Sequence, residues 1–236
     1  MISVCLACFN GEFYILDQVR SILNSSLVDE LVISDDGSTD STLSLLAGIA
    51  DPRIRVLEGP REGLIRNFEF LLTQARGDFI FLSDQDDVWY EGKVNTMLQS
   101  LQSCSLVVSD CHVVDADRNI IFNSFFSKRN SRPGLFNNLL RNSFLGCCMA
   151  FDRNVLSLAL PFPYGVPMHD WWIGLVASAV GKVEFIDQPL MAYRRHGKNA
   201  SATTERSTYS FLQQSRWRLC LLFSLAVRLS RTIFGR

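Results

Sequence analysis

No stretch of this chain approaches the ~18 consecutive apolar residues that a membrane-spanning helix requires. The longest apolar run, 219–227, is interrupted by Ser224. No basic segment precedes the strand-like run at 2–7, so no secretory leader is expected, and the chain is expected to be made and kept in the cytoplasm. Glycine (14) and proline (7) are too sparse for a collagen-like or low-complexity chain. Neither G-x-x-x-x-G-K-[ST] nor a G-x-G-x-x-G after the first strand occurs. ATPase, kinase and nicotinamide-dehydrogenase chemistries thus lack their phosphate-cradling loop. The seven cysteines are an odd number and lie mostly in apolar runs, which favours buried free thiols. Cys5 and Cys8 have zinc-ribbon spacing, but no second Cys or His pair follows them. In a strand the two would also point to opposite faces.

What the chain does have is a core. Of its 236 residues, 47% are hydrophobic and 20% charged, enough for one large domain or one domain plus an appendage. The net charge of -1 conceals a division. Residues 1–187 carry 14 basic and 23 acidic side chains, whereas residues 188–236 carry nine basic and one acidic. An acidic body with a basic tail predicts that the tail meets something anionic.

The pattern alternates. Strands are expected at 2–9, 30–34, 54–58, 78–83 and 105–114, and helices at 12–25, 40–50, 63–75 and 91–102. This order implies an α/β fold with a mostly parallel central sheet flanked by helices. The second half is less regular. It reads as a polar, mobile loop at 123–133, a short helix at 135–141, a strand at 146–151, helices near 154–159 and 170–180, and a strand at 183–186.

Ligands of open parallel sheets sit beyond the carboxyl ends of the strands. There the chain places Cys8-Phe9-Asn10-Gly11, then Asp35-Asp36-Gly37-Ser38-Thr39-Asp40, then Asp84-Gln85-Asp86-Asp87, and after the fifth strand Asp110. Gathered carboxylates need a cation or protons. Asp84, Asp86 and Asp87 are hard oxygen ligands suited to Mg²⁺ or Mn²⁺, and such an ion usually completes its shell with substrate phosphate. A phosphorylated substrate is therefore expected. The competing reading is a solvated acidic turn.

Six motifs in order resemble the family-2 glycosyltransferases with the GT-A fold. They are Phe9-Asn10-Gly11, Ser34 to Asp40, Leu82 to Trp89, Gly146 to Met149, His169-Asp170-Trp171-Trp172, and Tyr193-Arg194-Arg195-His196-Gly197-Lys198-Asn199. The last three resemble the bacterial rhamnosyltransferase-type branch. The resemblance covers 1–200 and implies an inverting sugar transfer from a nucleotide-diphospho-sugar, dTDP-rhamnose-like or UDP-linked. It implies that Ala7, Phe9, Asn10 and Asp35 line the nucleobase pocket and that Asp84 lies near the ribose. Asp86 would bind the metal, and Asp170 would be the general base. Arg194, Arg195, His196 and Lys198 would cover the diphosphate. Acceptor-side candidates are Asp87, His169, Trp171 and Trp172. His169 departs from the family, where many relatives carry an acidic residue. On residues alone, Asp170 also reads as an N-cap of the following helix, and Arg194-Arg195 as a solvated basic patch.

The segment 201–236 is expected to be a separate, basic amphipathic helical tail. From Arg216 to Arg236 there are five arginines and no acidic residue. On a helical wheel Leu219, Leu222, Phe223, Ala226, Leu229 and Ile233 fall within about 120°, and the arginines fall on the rest. Such a helix suits an anionic membrane surface, or else packs on the body. Expected partners are the nucleotide-sugar, a lipid-linked saccharide acceptor of bacterial surface polysaccharide synthesis, and the inner face of the cell membrane, but no nucleic acid. A nucleotidyltransferase and a non-catalytic membrane adaptor are the alternatives. The first would want a Lys-bearing loop after the first strand, which Cys8 to Gly11 lacks.

Overall fold

Seven consecutive buried residues, Ile2–Cys8, form the central strand β1. A parallel strand covered on both faces reads as such an unbroken apolar run. The structure is a computed structural model and describes residues 1–197 and 209–234, with side chains described as far as 231. After β1 come α1 (Ile15–Leu23), β2 (Glu30–Asp35), α2 (Thr42–Ala47), β3 (Ile54–Glu58), α3 (Leu64–Gln74) and β4 (Phe79–Asp84). Strands β3, β2, β1 and β4 lie side by side in parallel. Helix α3 packs on β1 and β2. Helix α1 turns Ile15, Val19 and Ile22 inward, as its helical spacing predicts.

Beyond β4 the sheet changes character. The following elements are β5 (Val88–Trp89), α4 (Lys93–Leu101), β6 (Leu106–Val114), β7 (Ile120–Phe122), α5 (Phe125–Arg129) and α6 (Leu135–Leu140). A 3-10 turn at Gly146–Cys148 leads into β8 (Met149–Asp152), α7 (Arg153–Ala159), α8 (His169–Val180) and β9 (Val183–Arg194). Strand β8 runs antiparallel to both β4 and β6, and β9 returns parallel to β6. The sheet order is β3-β2-β1-β4-β8-β6-β9-β5, with β7 on β6. It is the α/β, helix-flanked sheet expected of the GT-A class, with its parallel part concentrated in the first 84 residues.

Three local expectations need correction. The polar segment 123–133 contains helix α5, because Ser124 caps it by accepting from the Ser127 amide and Phe125 and Phe126 are buried. The strand expected at 183–186 runs on to Arg194, pairing with β6 and β5. Asp110 does not follow a strand but lies within β6, where it accepts from Ser124 Oγ and from the Cys111 and Phe126 amides.

Helix α9, Phe211–Phe234, packs on the body against α6 and α8. Its docking stripe is Arg218, Leu221, Leu225 and Arg228, spaced three and four residues apart. Leu221 and Leu225 are buried, Arg218 donates to the Leu140 carbonyl, and Arg228 donates to the carbonyls of Leu158, Leu160 and Pro161. The apolar face read from the wheel is not the docked one. Leu219, Leu222 and Phe223 remain exposed, at 66%, 49% and 72%. Among the described residues no helix is long and apolar enough to cross a membrane.

Candidate active site

A cavity of about 460 Å³ opens at the carboxyl ends of β1, β2 and β4. One wall comes from Ala7, Cys8, Phe9, Asp36, Asp84, Gln85 and Asp86. The loops are held by their own polar side chains. Gln85 clamps Phe9, accepting from its amide at 2.8 Å and donating to its carbonyl at 3.0 Å. Asn10, in the left-handed region at φ 51, accepts from the Thr39 amide and so ties the loop after β1 to the loop after β2.

Asp35 has a different place from the one the resemblance implies. It is buried and does not line the cavity. Its oxygens accept from the Gly37 and Ser38 amides, from Ser38 Oγ and from the Cys8 thiol. Its neighbour Asp36 lines the cavity instead and accepts from the Arg61 and Gly63 amides.

The opposite wall comes from Leu145, Gly146, Met168, His169, Asp170 and Tyr193. Asp170 lies in the first turn of α8, whose N-cap is Met168, so it is not the cap. It accepts from the Gly146 amide at 3.1 Å and from its own neighbour's amide, Trp171, at 2.5 Å. A Cβ on Gly146 would stand 3.0 Å from His169 Nε2, so glycine permits this approach. Burial pushes the Asp170 carboxyl up to about 6, against the pull of those donors. His169 stacks on Phe68 with centroids 3.9 Å apart, and neither ring nitrogen has a hydrogen-bond partner. Burial lowers its pKa to about 3, so the ring is neutral at physiological pH.

The carboxylates crowd as expected. Burial, then Asp86, then Asp170 push Asp84 up to about 8. Asp86 Oδ2 lies 2.8 Å from His196 Nε2, and the His196 ring stacks on Tyr14. Asp87 does not reach the cavity. It is fully buried, accepts from the Arg194 amide with Oδ1, and leaves Oδ2 without a partner. Carboxylate oxygens of Asp84 and Asp87 and the Cys147 sulfur lie within 4.8 Å of one another. The carboxylates of Asp84 and Asp86 crowd at the cavity surface, and such a set of hard oxygen ligands fits a divalent cation.

Arg194, Trp171 and Trp172 are held by the body of the protein and do not line the cavity. Arg194 is buried, with its guanidinium 3.6 Å from Asp17 and over the Tyr14 ring, so it does not face the cavity. Arg195 is half-buried and its amide donates to the Val114 carbonyl. Trp172 is fully buried and donates to the Ala159 carbonyl, while Trp171 donates to the Asn138 carbonyl. Neither tryptophan lines the cavity, because the indoles brace α8 against α6 and α7. Lys198 lies outside the described residues. All seven cysteines are free and six are buried, as the composition implied.

Residues 3–158 match the family described as Glycosyl transferase family 2. The chain belongs to that family. Among similar proteins is the dTDP-rhamnosyl transferase RfbG of Shigella flexneri, 27% identical over 82% of this chain and 72% of its own length. Another is the Escherichia coli UDP-Glc:alpha-D-GlcNAc-diphosphoundecaprenol beta-1,3-glucosyltransferase WfgD, 25% identical over 72% of this chain and 68% of its own length. Staphylococcus aureus TarS 1-349 with UDP-GlcNAc has the same fold, with a TM-score of 0.70 at 18% identity. The match covers 94% of this chain and 66% of that one. The Pyrobaculum calidifontis mannosyltransferase PcManGT, in complex with GDP-Man and Mn²⁺, aligns over all of this chain and 75% of its own, with a TM-score of 0.60 at 17% identity.

For this family-2 glycosyltransferase the motifs in sequence did not point to the loop after β3. Arg61, Gly63, Leu64 and Asn67 line the cavity. Asn67 is buried and locked to β2, accepting from Ser34 Oγ and donating to the Ser34 carbonyl. A signal was present all the same. Gly59-Pro60-Arg61-Glu62-Gly63 stands directly beyond the third strand, at the same sheet edge as the acidic loops after the second and fourth.

Proposed function

We propose that this chain is an inverting transferase that moves a sugar from a nucleotide-diphospho-sugar to a lipid-linked saccharide in bacterial surface polysaccharide (O-antigen or capsule) synthesis. One observation carries the reading. Asp170, with its pKa raised to about 6, shares a single cavity with Asp84 and Asp86 but comes from a different element. Inverting transfer needs a base at the attacking hydroxyl on the side opposite the leaving diphosphate. A buried carboxyl poised near neutrality suits that task.

On this reading Ala7, Cys8 and Phe9 form the nucleobase wall, and Asp36 takes the base-facing place implied for Asp35. Asp84 serves the ribose side. Asp86 holds Mn²⁺ or Mg²⁺, which when bound neutralises charge on the leaving diphosphate. His196, Arg195 and Arg61 would cover that diphosphate, Arg61 from the cavity lining itself. His169 faces the acceptor as a neutral ring. The relatives' names support a dTDP-rhamnose or UDP-sugar donor and a diphospholipid-linked acceptor. The Mn²⁺ complex of PcManGT supports the metal. The exposed apolar face of α9 and its exposed arginines support peripheral contact with the inner membrane face.

A thermal-shift screen of nucleotides and nucleotide-sugars with and without Mn²⁺ tests the donor. A true ligand at a hundred times its dissociation constant adds roughly 2.7 kcal/mol. Stabilisation by UDP or dTDP sugars only with Mn²⁺, followed by transfer to a lipid-linked acceptor, is expected. Stabilisation by nucleoside triphosphates alone would favour the nucleotidyltransferase.

A further inference from the structure

A second cavity, of about 420 Å³, lies between α9, α3 and the 161–164 segment. Among the described residues three arginines border it, Arg66, Arg228 and Arg231, against one carboxylate, Glu69. Glu69 is already engaged, pairing with Arg66 and accepting from the Phe162 amide at 2.7 Å. Arg228 is planted by its three carbonyl acceptors, and both burial and the charge of Arg231 pull its pKa below the ordinary arginine value. Arg228 and Arg231 stand three residues apart on one helix, so their positive charges add at the groove. The same groove has an apolar rim. Tyr164 is 90% exposed and Phe223 72%, with Leu219 and Leu222 continuing along the helix.

We propose that this groove seats the phosphate of a membrane lipid, with Arg228 and Arg231 as its ligands and Phe223, Leu222 and Leu219 in the acyl region. A soluble anion needs the cations but no apolar rim, and a purely apolar partner needs the rim but not the crowded arginines. A lipid headgroup is the ligand that uses both. The inference rests on the membrane-side acceptor reading above and gives it a fixed orientation. The 161–164 segment that walls this groove continues through 168 to His169 and Asp170, and Arg66 stands on α3 two residues after Leu64 of the main cavity. A lipid held here brings the membrane to the acceptor side of the active site.

Co-sedimentation of the full chain with vesicles tests the seat. The vesicles are phosphatidylcholine alone, or with added phosphatidylglycerol or polyprenyl diphosphate. Arg231→Glu should weaken binding to the anionic vesicles at least tenfold. Arg216→Glu makes the same charge change on the same helix about 22 Å away, and should weaken binding less than threefold. Phe223→Ser should weaken binding to all vesicles, and Mn²⁺-dependent nucleotide binding should be unchanged in every variant. Equal losses in Arg231→Glu and Arg216→Glu would overturn the seat while leaving a diffuse basic membrane contact standing. Competition by inorganic pyrophosphate as effective as excess vesicles would reassign the groove to a soluble anion. If the unaltered chain binds no vesicle, the seat and the membrane reading both fall.

Discussion

On the wall proposed for the donor, each loop beyond a strand end is tied down by polar side chains that hold backbone, in its own turn or in the neighbouring loop: Asn10 on Thr39, Asp35 on Gly37 and Ser38, Gln85 on Phe9, Asp36 on Arg61 and Gly63. On the wall proposed for the acceptor, Asp170 accepts from the Gly146 amide, and His169 leaves both ring nitrogens unbonded. The first wall is preorganised before any ligand arrives. The second keeps polar groups in hand for one to complete, which is how buried, unsatisfied groups become sites and not merely costs.

Substitution at each wall sharpens the contrast. Asp170→Asn is expected to fold and to bind donor as before, while transfer falls roughly 10²–10⁴-fold. Nucleotide titration and a transfer assay on one preparation check both halves. Lost donor binding would move Asp170 to the other wall, and near-normal turnover would remove it from the chemistry. Asp86→Ala should do the reverse, lowering metal-dependent nucleotide affinity by at least about 100-fold. Unchanged affinity in the presence of Mn²⁺ would show that Asp86 is not the metal ligand.

A smaller effect contrasts the two faces of α9. Leu221→Ala, on the docked face, should cost about 2–4 kcal/mol in denaturant unfolding, and Leu222→Ala, on the exposed face, less than about 0.5 kcal/mol. Equal costs would mean that the docked and exposed faces have been misassigned. By the same packing, a chain ending near Ser215 should lose stability and not merely its membrane contact.

The smallest expected effect is in pH. Because the folded carboxyl of Asp170 titrates near 6 and not at its ordinary 3.8, transfer should rise through pH 6 and be about tenfold lower one unit below it. The native chain holds this proton where the unfolded chain has released it, so stability from this group falls as pH rises from about 4 to 6. The Tm advantage of Asp170→Asn over wild type should therefore be largest above pH 6 and shrink toward pH 4. A pH-independent difference would place the raised pKa elsewhere.

The donor motifs were legible because their chemistry is local. Asp, Asn, Ser and Gly collect in consecutive residues beyond a strand, as in Ser34 to Asp40 and Asp84 to Asp87, so the acidic edge can be read without knowing what each side chain bonds. Arg194, Trp171 and Trp172 were misplaced for the opposite reason. Charge and aromatic character do not say which way a side chain turns. Arg194 is turned inward by β9 running further than its apolar pattern suggested. By sequence Asp110 groups with the strand-end carboxylates, but it lies inside the strand expected at 105–114 and anchors α5.

From the chain alone came the alternation of strands and helices, the parallel first half, the buried free thiols, the acidic edge and the family. All of these follow from periodicity, turn residues or contiguous motifs, which are properties of neighbours in sequence. Only the tertiary structure decided that Asp36 and not Asp35 lines the cavity, that Arg61 and Asn67 join it, and that α9 docks through Leu221 and Leu225 while showing its more apolar face to solvent. Those outcomes depend on which groups from distant segments meet. A helical wheel contains the angle between residues on one helix, but not the direction in which the rest of the protein lies.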